Sequence, residues 1–159
     1  MNIDHVDHQI LKILQADGRI SNVALARQVG LAPSGVLERV RRLEKRGIIK
    51  GYEARLNSTE LDHGLIAFMA LKTSEPVGVI DLARELAQIP EIQEVHHLAG
   101  EDCYLIKLRV RDNAALARLM RDQLSKFPAI TATRTTIVLE TIKETMQIPV
   151  GDTPIGDER

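Results

Sequence analysis

Asn22-Val23-Ala24-Leu25-Ala26-Arg27-Gln28-Val29-Gly30-Leu31-Ala32-Pro33-Ser34-Gly35-Val36-Leu37-Glu38-Arg39-Val40-Arg41 is the stretch on which the fold turns. Ser21, just before it, carries the short hydroxyl that caps a helix start, and Gly30 tolerates the left-handed turn that closes a helix. Pro33 suits the first turn of a second helix, because its ring presets φ and its missing N–H is not needed there. Where two helices cross tightly, the first needs a small residue at the contact and the turn needs one tolerant of positive φ. Ala26 and Gly30 stand at those places, and Val36 returns to pack beneath them. Leu25, Val29, Leu31 and Val40 complete an apolar seam, so the stretch reads as a helix-turn-helix.

Working outward, Asp7–Gln15 reads as a preceding helix with Ile10, Leu11, Ile13 and Leu14 as its buried stripe, ended by Asp17-Gly18. The helix from Pro33 continues through Val36, Val40 and Leu43 and stops at Gly47. Ile48 to Leu56 reads as an extended strand or linker, with a boundary at Asn57-Ser58. Beyond it lie a strand Leu65–Thr73, a helix Val77–Gln88 with Ile80, Ala83, Leu86 and Ala87 inward, and strands Ile92–Ala99 and Tyr104–Val110. A helix Ala114–Lys126 with Leu116, Leu119, Met120 and Leu124 inward follows, then a Thr-rich strand Thr131–Ile142. In Tyr104–Val110 the apolar side chains alternate with Lys107 and Arg109, a period of two. The fold class expected is α+β: an N-terminal winged or helix-turn-helix three-helix domain over residues 1–57 and a ferredoxin-like βαββαβ sandwich over 58–150. Residues 151–159, polar with Gly and Pro, read as a disordered tail.

Bulk properties narrow the function. No apolar run approaches the length needed to span a bilayer, and the N-terminus lacks the pattern of a signal peptide, so a cytoplasmic address is expected. One cysteine, Cys103, allows no internal disulfide and no thiolate zinc site. Aromatics make up 3% with no Trp, which disfavours modules that stack single-stranded bases. The net charge of −1 hides an asymmetry: residues 1–57 hold ten Lys and Arg against six Asp and Glu, the remainder eleven against sixteen. A basic half points to a polyanion, unless the imbalance is an ordinary solvated surface.

The helix after Pro33 decides between these. With Val36 at zero and about 100° per residue, Val40 and Leu43 fall within about 40° of it. Ser34, Glu38, Arg41, Arg42 and Lys45 fall opposite, with Gly35, Arg39 and Arg46 along one flank. Such a helix enters the major groove of double-stranded DNA, where Arg reads guanine and a small N-terminal residue lets the backbone approach. Five bases against two acids on this helix favour DNA over a solvated face. Ser34, Gly35, Glu38, Arg39, Arg41, Arg42, Lys45 and Lys50 are the candidate DNA-binding residues.

Asp7-His8-Gln9-Ile10-Leu11, Gly18-Arg19-Ile20-Ser21, Leu25-Ala26, Val29-Gly30-Leu31-Ala32-Pro33-Ser34, Arg39-Val40, Leu43-Glu44 and Gly47-Ile48-Ile49 together resemble the Lrp/AsnC, or feast/famine, regulators. Gly100-Glu101-Asp102-Cys103-Tyr104 and Thr136-Ile137-Val138-Leu139 are similar to that family's effector-binding and oligomerisation domain, so the resemblance covers about residues 3–150. It implies a sequence-specific transcriptional regulator, not an enzyme, assembled as a homo-oligomer (a dimer at least, and an octamer or related ring). It also implies a small effector, typically an amino acid, held between subunits by Leu98, Ala99, Gly100, Glu101, Asp102, Cys103, Thr133 and Thr135. No cofactor, metal or membrane is expected.

Two departures from the family pattern stand out. Ala32 occupies a position that usually holds Ser, which weakens the helix cap by about 1 kcal/mol. Gly100-Glu101-Asp102-Cys103 replaces Gly-x-aromatic-Asp, so Asp102 takes the aromatic slot and Cys103 the acid slot.

Other residues admit plainer readings. His96 and His97 are adjacent on a strand and point to opposite faces, so they cannot converge on one metal. Cys103 in an apolar strand fits a small hydrophobe as well as a redox sensor, and threonines of the last strand are good strand formers as well as pocket hydroxyls. The acids Asp4 and Asp7 suit the start of a helix. Siroheme decarboxylases look like this architecture too and make His96, His97 and Arg109 nominal candidates, but they have no need of a basic recognition face. A ligand sensor without DNA contact is the third class left open.

Overall fold

The computed structural model describes residues 3–100 and 103–151. The chain forms two compact units: one runs to Arg55 and is rejoined by the chain from Glu144, the other is Leu56–Lys143.

Three helices build the first unit: α1 (His5–Ala16), α2 (Asn22–Val29) and α3 (Pro33–Lys45). Asp4 caps α1 through a capping box with Asp7, and Ser21 caps α2 by accepting from the Ala24 N–H. Gly30, at φ 69°, ends α2 while the Leu31 N–H donates to the Ala26 carbonyl. Gly47, at φ 68°, does the same for α3: its N–H donates to the Glu44 carbonyl and that of Ile48 to Leu43, a Schellman pair. Ala32 offers no side-chain cap, so Pro33 begins α3 without one.

Ile10, Leu25, Ala26, Val36, Val40 and Leu43 form the core of this unit. Leu31 lies outside it at 37% exposure, because it follows the left-handed turn and points away from the crossing. Residues 50–57 pair with no strand among the described residues, so the expected linker strand is only an extended segment. The returning chain is fastened to α1. Gln15 donates to the Ile148 carbonyl (3.0 Å) and accepts from the Ile148 N–H (2.7 Å), as a neighbouring strand would.

The second unit runs β1 (Leu65–Thr73), α4 (Asp81–Leu86), β2 (Ile92–His97), β3 (Tyr104–Val110), α5 (Asn113–Asp122), a 3-10 turn (Leu124–Lys126) and β4 (Ile130–Ile137). The antiparallel sheet has the order β2-β3-β1-β4, the ferredoxin-like arrangement expected. Ala67, Met69, Leu71, Tyr104, Ile106 and Leu108 point from one sheet face into a core closed by Leu82 and Leu86 of α4 and Leu116 and Leu119 of α5.

Several expected bounds move; the strand expected over Ile92–Ala99, for one, ends at His97. The helix expected over 77–88 is only α4, because Gly78 sits at φ 89° and Ile80 is not helical. Its inward residues are Leu82 and Leu86, with Ala83 packed beside them; Ile80 and Ala87 are exposed. The helix expected over 114–126 leaves α geometry after Asp122 and tightens into the 3-10 turn. The last strand stops at Ile137 and not at Ile142. One further ladder bond, from the Val138 N–H to the Ile66 carbonyl, meets the beginning of β1, and there is no more partner to follow. Part of the expected tail, 152–159, lies outside the described residues.

Ala26 is 1% exposed at the crossing of α2 and α3. Replacing it with Leu forces the helices apart and should cost about 1–3 kcal/mol, read as an earlier urea midpoint for the first unit by far-UV circular dichroism.

Candidate nucleic-acid interface and ligand site

The outward side of α3 carries Ser34, Glu38, Arg41 and Lys45, all exposed, with Lys50 exposed just beyond the helix. Among the described residues Arg41 and Lys45 enter no ion pair. Gly35 faces open space, since a Cβ built on it would meet nothing within 4 Å. Glu44 is directed to a flank, where its carboxylate accepts a hydrogen bond from the Tyr52 hydroxyl (3.0 Å). Burial and then that carboxylate push the Tyr52 phenol above its ordinary pKa, which keeps it a donor. The outward side of α3 is therefore left with one acid, Glu38.

Arg39 and Arg42 are placed differently from the other candidates. Arg42 Nη2 donates to both oxygens of Asp7, at 3.0 and 2.8 Å. Arg39 Nη1 donates to Asp7 Oδ1 at 2.8 Å and to Asp4 Oδ2 at 2.6 Å. Asp7 is fully buried, and two guanidiniums satisfy its oxygens. These hydrogen bonds to Asp4 and Asp7 raise the Arg39 pKa from its ordinary value against the opposing cost of burial. Both arginines are thus committed to the first turn of α1. Sequence angles missed this because they refer each residue only to its own helix. The available signal was the matched spacing of Asp4 and Asp7 with Arg39 and Arg42, three residues apart on each helix.

In the second unit, Leu98, Ala99 and Gly100 are exposed in the connection from β2 to β3, which closes when the Leu98 N–H donates to the Cys103 carbonyl (2.8 Å). Glu101 and Asp102 lie outside the described residues. Cys103 is half-buried and packs against the core, as a small hydrophobe would. Thr133 and Thr135 face Leu71 and Met69 across the β1–β4 ladder, so both point to the helix-covered face. Tyr104, Leu71 and Thr133 stand in one row across β3, β1 and β4. The connection and Thr133 therefore lie at the same end of the sheet, about 10 Å apart within one chain, with β1 between. Thr133 opens on a cavity of about 260 Å³ walled by Met120, Leu124, Phe127 and Ile130. A larger one of about 400 Å³, bordered by His63, Arg111, Arg118 and Asp122, lies near Val110 at the other end of β3.

Sequence reading missed one residue that supports the connection. Glu75 accepts from the Leu82 N–H (2.8 Å), capping α4 from seven residues upstream, and takes a hydrogen bond from the buried Tyr104 hydroxyl (3.2 Å). Burial, and then the Glu75 charge, push the Tyr104 phenol upward, so it stays protonated and donating. His97 lies against the Tyr104 ring with centroids 5.1 Å apart. His96 pairs with Glu94 on the opposite face, and Arg109 donates to Gln93 and Ser58. His96, His97 and Arg109 do not converge, which removes the tetrapyrrole alternative's geometric basis.

A fold of this kind, with a basic helix-turn-helix unit and a separate α/β sandwich, defines a DNA-binding regulator. Residues 3–50 match a family model for winged helix-turn-helix DNA-binding domains, and residues 66–148 match one for the Lrp/AsnC ligand-binding domain. The leucine-responsive regulatory protein of Escherichia coli is 40% identical over 153 residues, covering 94% of this chain and 92% of that protein. A Neisseria meningitidis transcriptional regulator in complex with L-methionine superposes with TM-score 0.85 at 32% identity, covering 92% of this chain and 96% of that one. A Mycobacterium tuberculosis feast or famine regulatory protein complexed with L-methionine gives 0.84 at 36%, covering 92% and 98%. The chain belongs to the Lrp/AsnC family of transcriptional regulators, which are DNA-binding proteins and not enzymes.

Asp7→Asn should cost about 3 kcal/mol, since it leaves two guanidiniums without their buried partner charge. Arg41→Ala, on the exposed side, should stay within about 0.5 kcal/mol. Urea denaturation of both variants against the parent measures the contrast.

Proposed function

We propose that the chain is a sequence-specific regulator that places α3 in the major groove and responds to an amino acid bound between subunits. The observation that carries the DNA part is the exposed face of α3, where Arg41 and Lys45 project with Ser34 and Gly35 open at the helix start. On this reading Arg41 reaches a base edge or phosphate, and Lys45 and Lys50 reach phosphates. Gly35 lets the helix approach the backbone closely, and Glu38 discriminates against wrong sequences by repulsion or by accepting from cytosine. Arg39 and Arg42 fix the helix on α1.

The effector part draws support from the row of Tyr104, Leu71 and Thr133, which sets Thr133 at the same end of the sheet as the β2–β3 connection, and from relatives solved with L-methionine. Glu101 or Asp102 would receive the ammonium group and turn amides the carboxylate, with Thr133 and Thr135 of a neighbouring subunit completing the site. The cavity beside Thr133 carries no charged side chain on its lining, only Met120, Leu124, Phe127, Pro128 and Ile130 with Ser125, which favours an uncharged effector side chain. A second copy of the chain also fits the other sheet face, where Ile66, Phe68, Ala70 and Leu105 have neither α4 nor α5 over them. A dimer, and a larger ring built from dimers, follows from that reading, as does a cytoplasmic location beside the DNA.

Gly35→Gln tests the groove contact cleanly, because the protein leaves room for the side chain. The variant should keep its stability and lose at least tenfold in operator affinity, whereas unchanged binding would move the interface elsewhere. For the effector, calorimetric titration with each of the twenty amino acids should find an apolar binder, and Thr133→Val should weaken it. The absence of heat from all twenty would leave the β2–β3 connection as a plain turn.

A further inference from the structure

Asp4 is the exposed acid of the buried Asp7 network, whose second arginine, Arg42, has a side chain 34% exposed. The Asp4 side chain is 50% exposed and that of Arg39 26%, whereas that of Asp7 is 1% exposed. A single nitrogen, Arg39 Nη1, serves both acids, at 2.6 Å to Asp4 and 2.8 Å to Asp7. With Arg42 also committed to Asp7, the four side chains carry two positive and two negative charges and sum to none. Arg39 lies one helical turn from Gly35, on the flank next to the face that carries Arg41 and Lys45.

We propose that Asp4 competes with DNA phosphate for Arg39: phosphate displaces the exposed carboxylate from Nη1 when α3 docks, while buried Asp7 keeps the guanidinium in place. This deepens the DNA-binding reading and rests on it. The chemistry suits an exchange. Phosphate and carboxylate take the same donors of a guanidinium, and Arg prefers whichever anion presents oxygens at the right separation. The exposed Asp4 contact is worth little in water, whereas the Asp7 contacts cannot be given up without stranding a buried charge. Asp4 thus lowers affinity for any duplex, because phosphate contacts carry no sequence information. A recognition helix restrained in this way depends more on its base contacts to stay bound.

The test is a double-mutant cycle on the full chain with a labelled duplex of mixed sequence, read by fluorescence anisotropy over a series of salt concentrations. Asp4→Asn removes the charge but keeps a good N-cap, so α1 should be undisturbed. It should tighten binding by about two- to fivefold at low salt, the range an exposed ion pair spans. Arg39→Gln should weaken binding and reduce the slope of log K against log salt by about 0.9, the loss of one phosphate contact. In the Arg39→Gln background, Asp4→Asn should have no effect. If the gain from Asp4→Asn persists in that background, Asp4 acts only as a distant charge and the competition is wrong. An unchanged slope for Arg39→Gln also overturns it, and that result does not depend on how well the Asp4 variant folds. A parent protein without salt-dependent binding would instead remove the DNA-binding reading itself, and the competition with it.

Discussion

Asp7 sits out of water where the first turn of α1 meets α3, and its two oxygens take three hydrogen bonds from Arg39 and Arg42. Desolvating a carboxylate costs several kcal/mol, and the attraction of its partners returns that only if the geometry is held. The network therefore adds little net stability, but it penalises other placements of α3 on α1, since any of them would bury an unpaired charge. The apolar core beneath, from Ile10 to Leu43, supplies the driving force without that directional demand. A recognition helix needs both: burial to fold, and a directional contact to fix its rotation and the direction of its basic side.

What could be read in the sequence follows how local its causes are. The helix-turn-helix was legible because Ser21, Gly30, Pro33 and the Val36-Val40-Leu43 spacing each act within a turn or two. The bounds of β1 and β3 were legible because apolar content and alternation mark them directly. The start of α4 was not, because it depends on Gly78 and on a cap supplied by Glu75. Nor was the end of β4, which depends on where β1 begins. The return of the chain to the first unit left no periodic trace either, since it is held by scattered side chains: Gln15 on Ile148, Gln147 on the Gln15 carbonyl and Arg55 on the Glu144 carbonyl.

The candidate site divides in the same way. Solvent-facing positions such as Ser34, Arg41 and Lys45 could be assigned from angles on one helix, because water imposes no further condition on them. Arg39 and Arg42 could not, because their fate depends on acids more than thirty residues away. In the second unit, alternation placed Lys107 and Arg109 opposite the core, and the strand register then placed Tyr104, Leu71 and Thr133 in one row. That row could not be seen beforehand, because β1 and β4 pair across some sixty residues of intervening chain.

The electrostatics explain why such a reader would be joined to a sandwich at all. Ten basic residues in the first 57 suggest a strong polyanion binder, but two of them are paired with Asp4 and Asp7, so the free protein presents less positive charge to phosphates. Each phosphate neutralised contributes a salt-dependent increment, and a helix offering only a few is weak at physiological salt. Raising its charge would strengthen binding to every sequence equally and erode discrimination. Linking two such helices raises affinity without adding charge to either, because the second contact becomes intramolecular. The gain then depends on the spacing between the helices, which the proposed pairing of sandwich units would set and a bound effector would alter. On this argument the modest charge of the reading helix and the proposed pairing of sandwich units answer the same requirement, that binding be tight only at properly spaced sites.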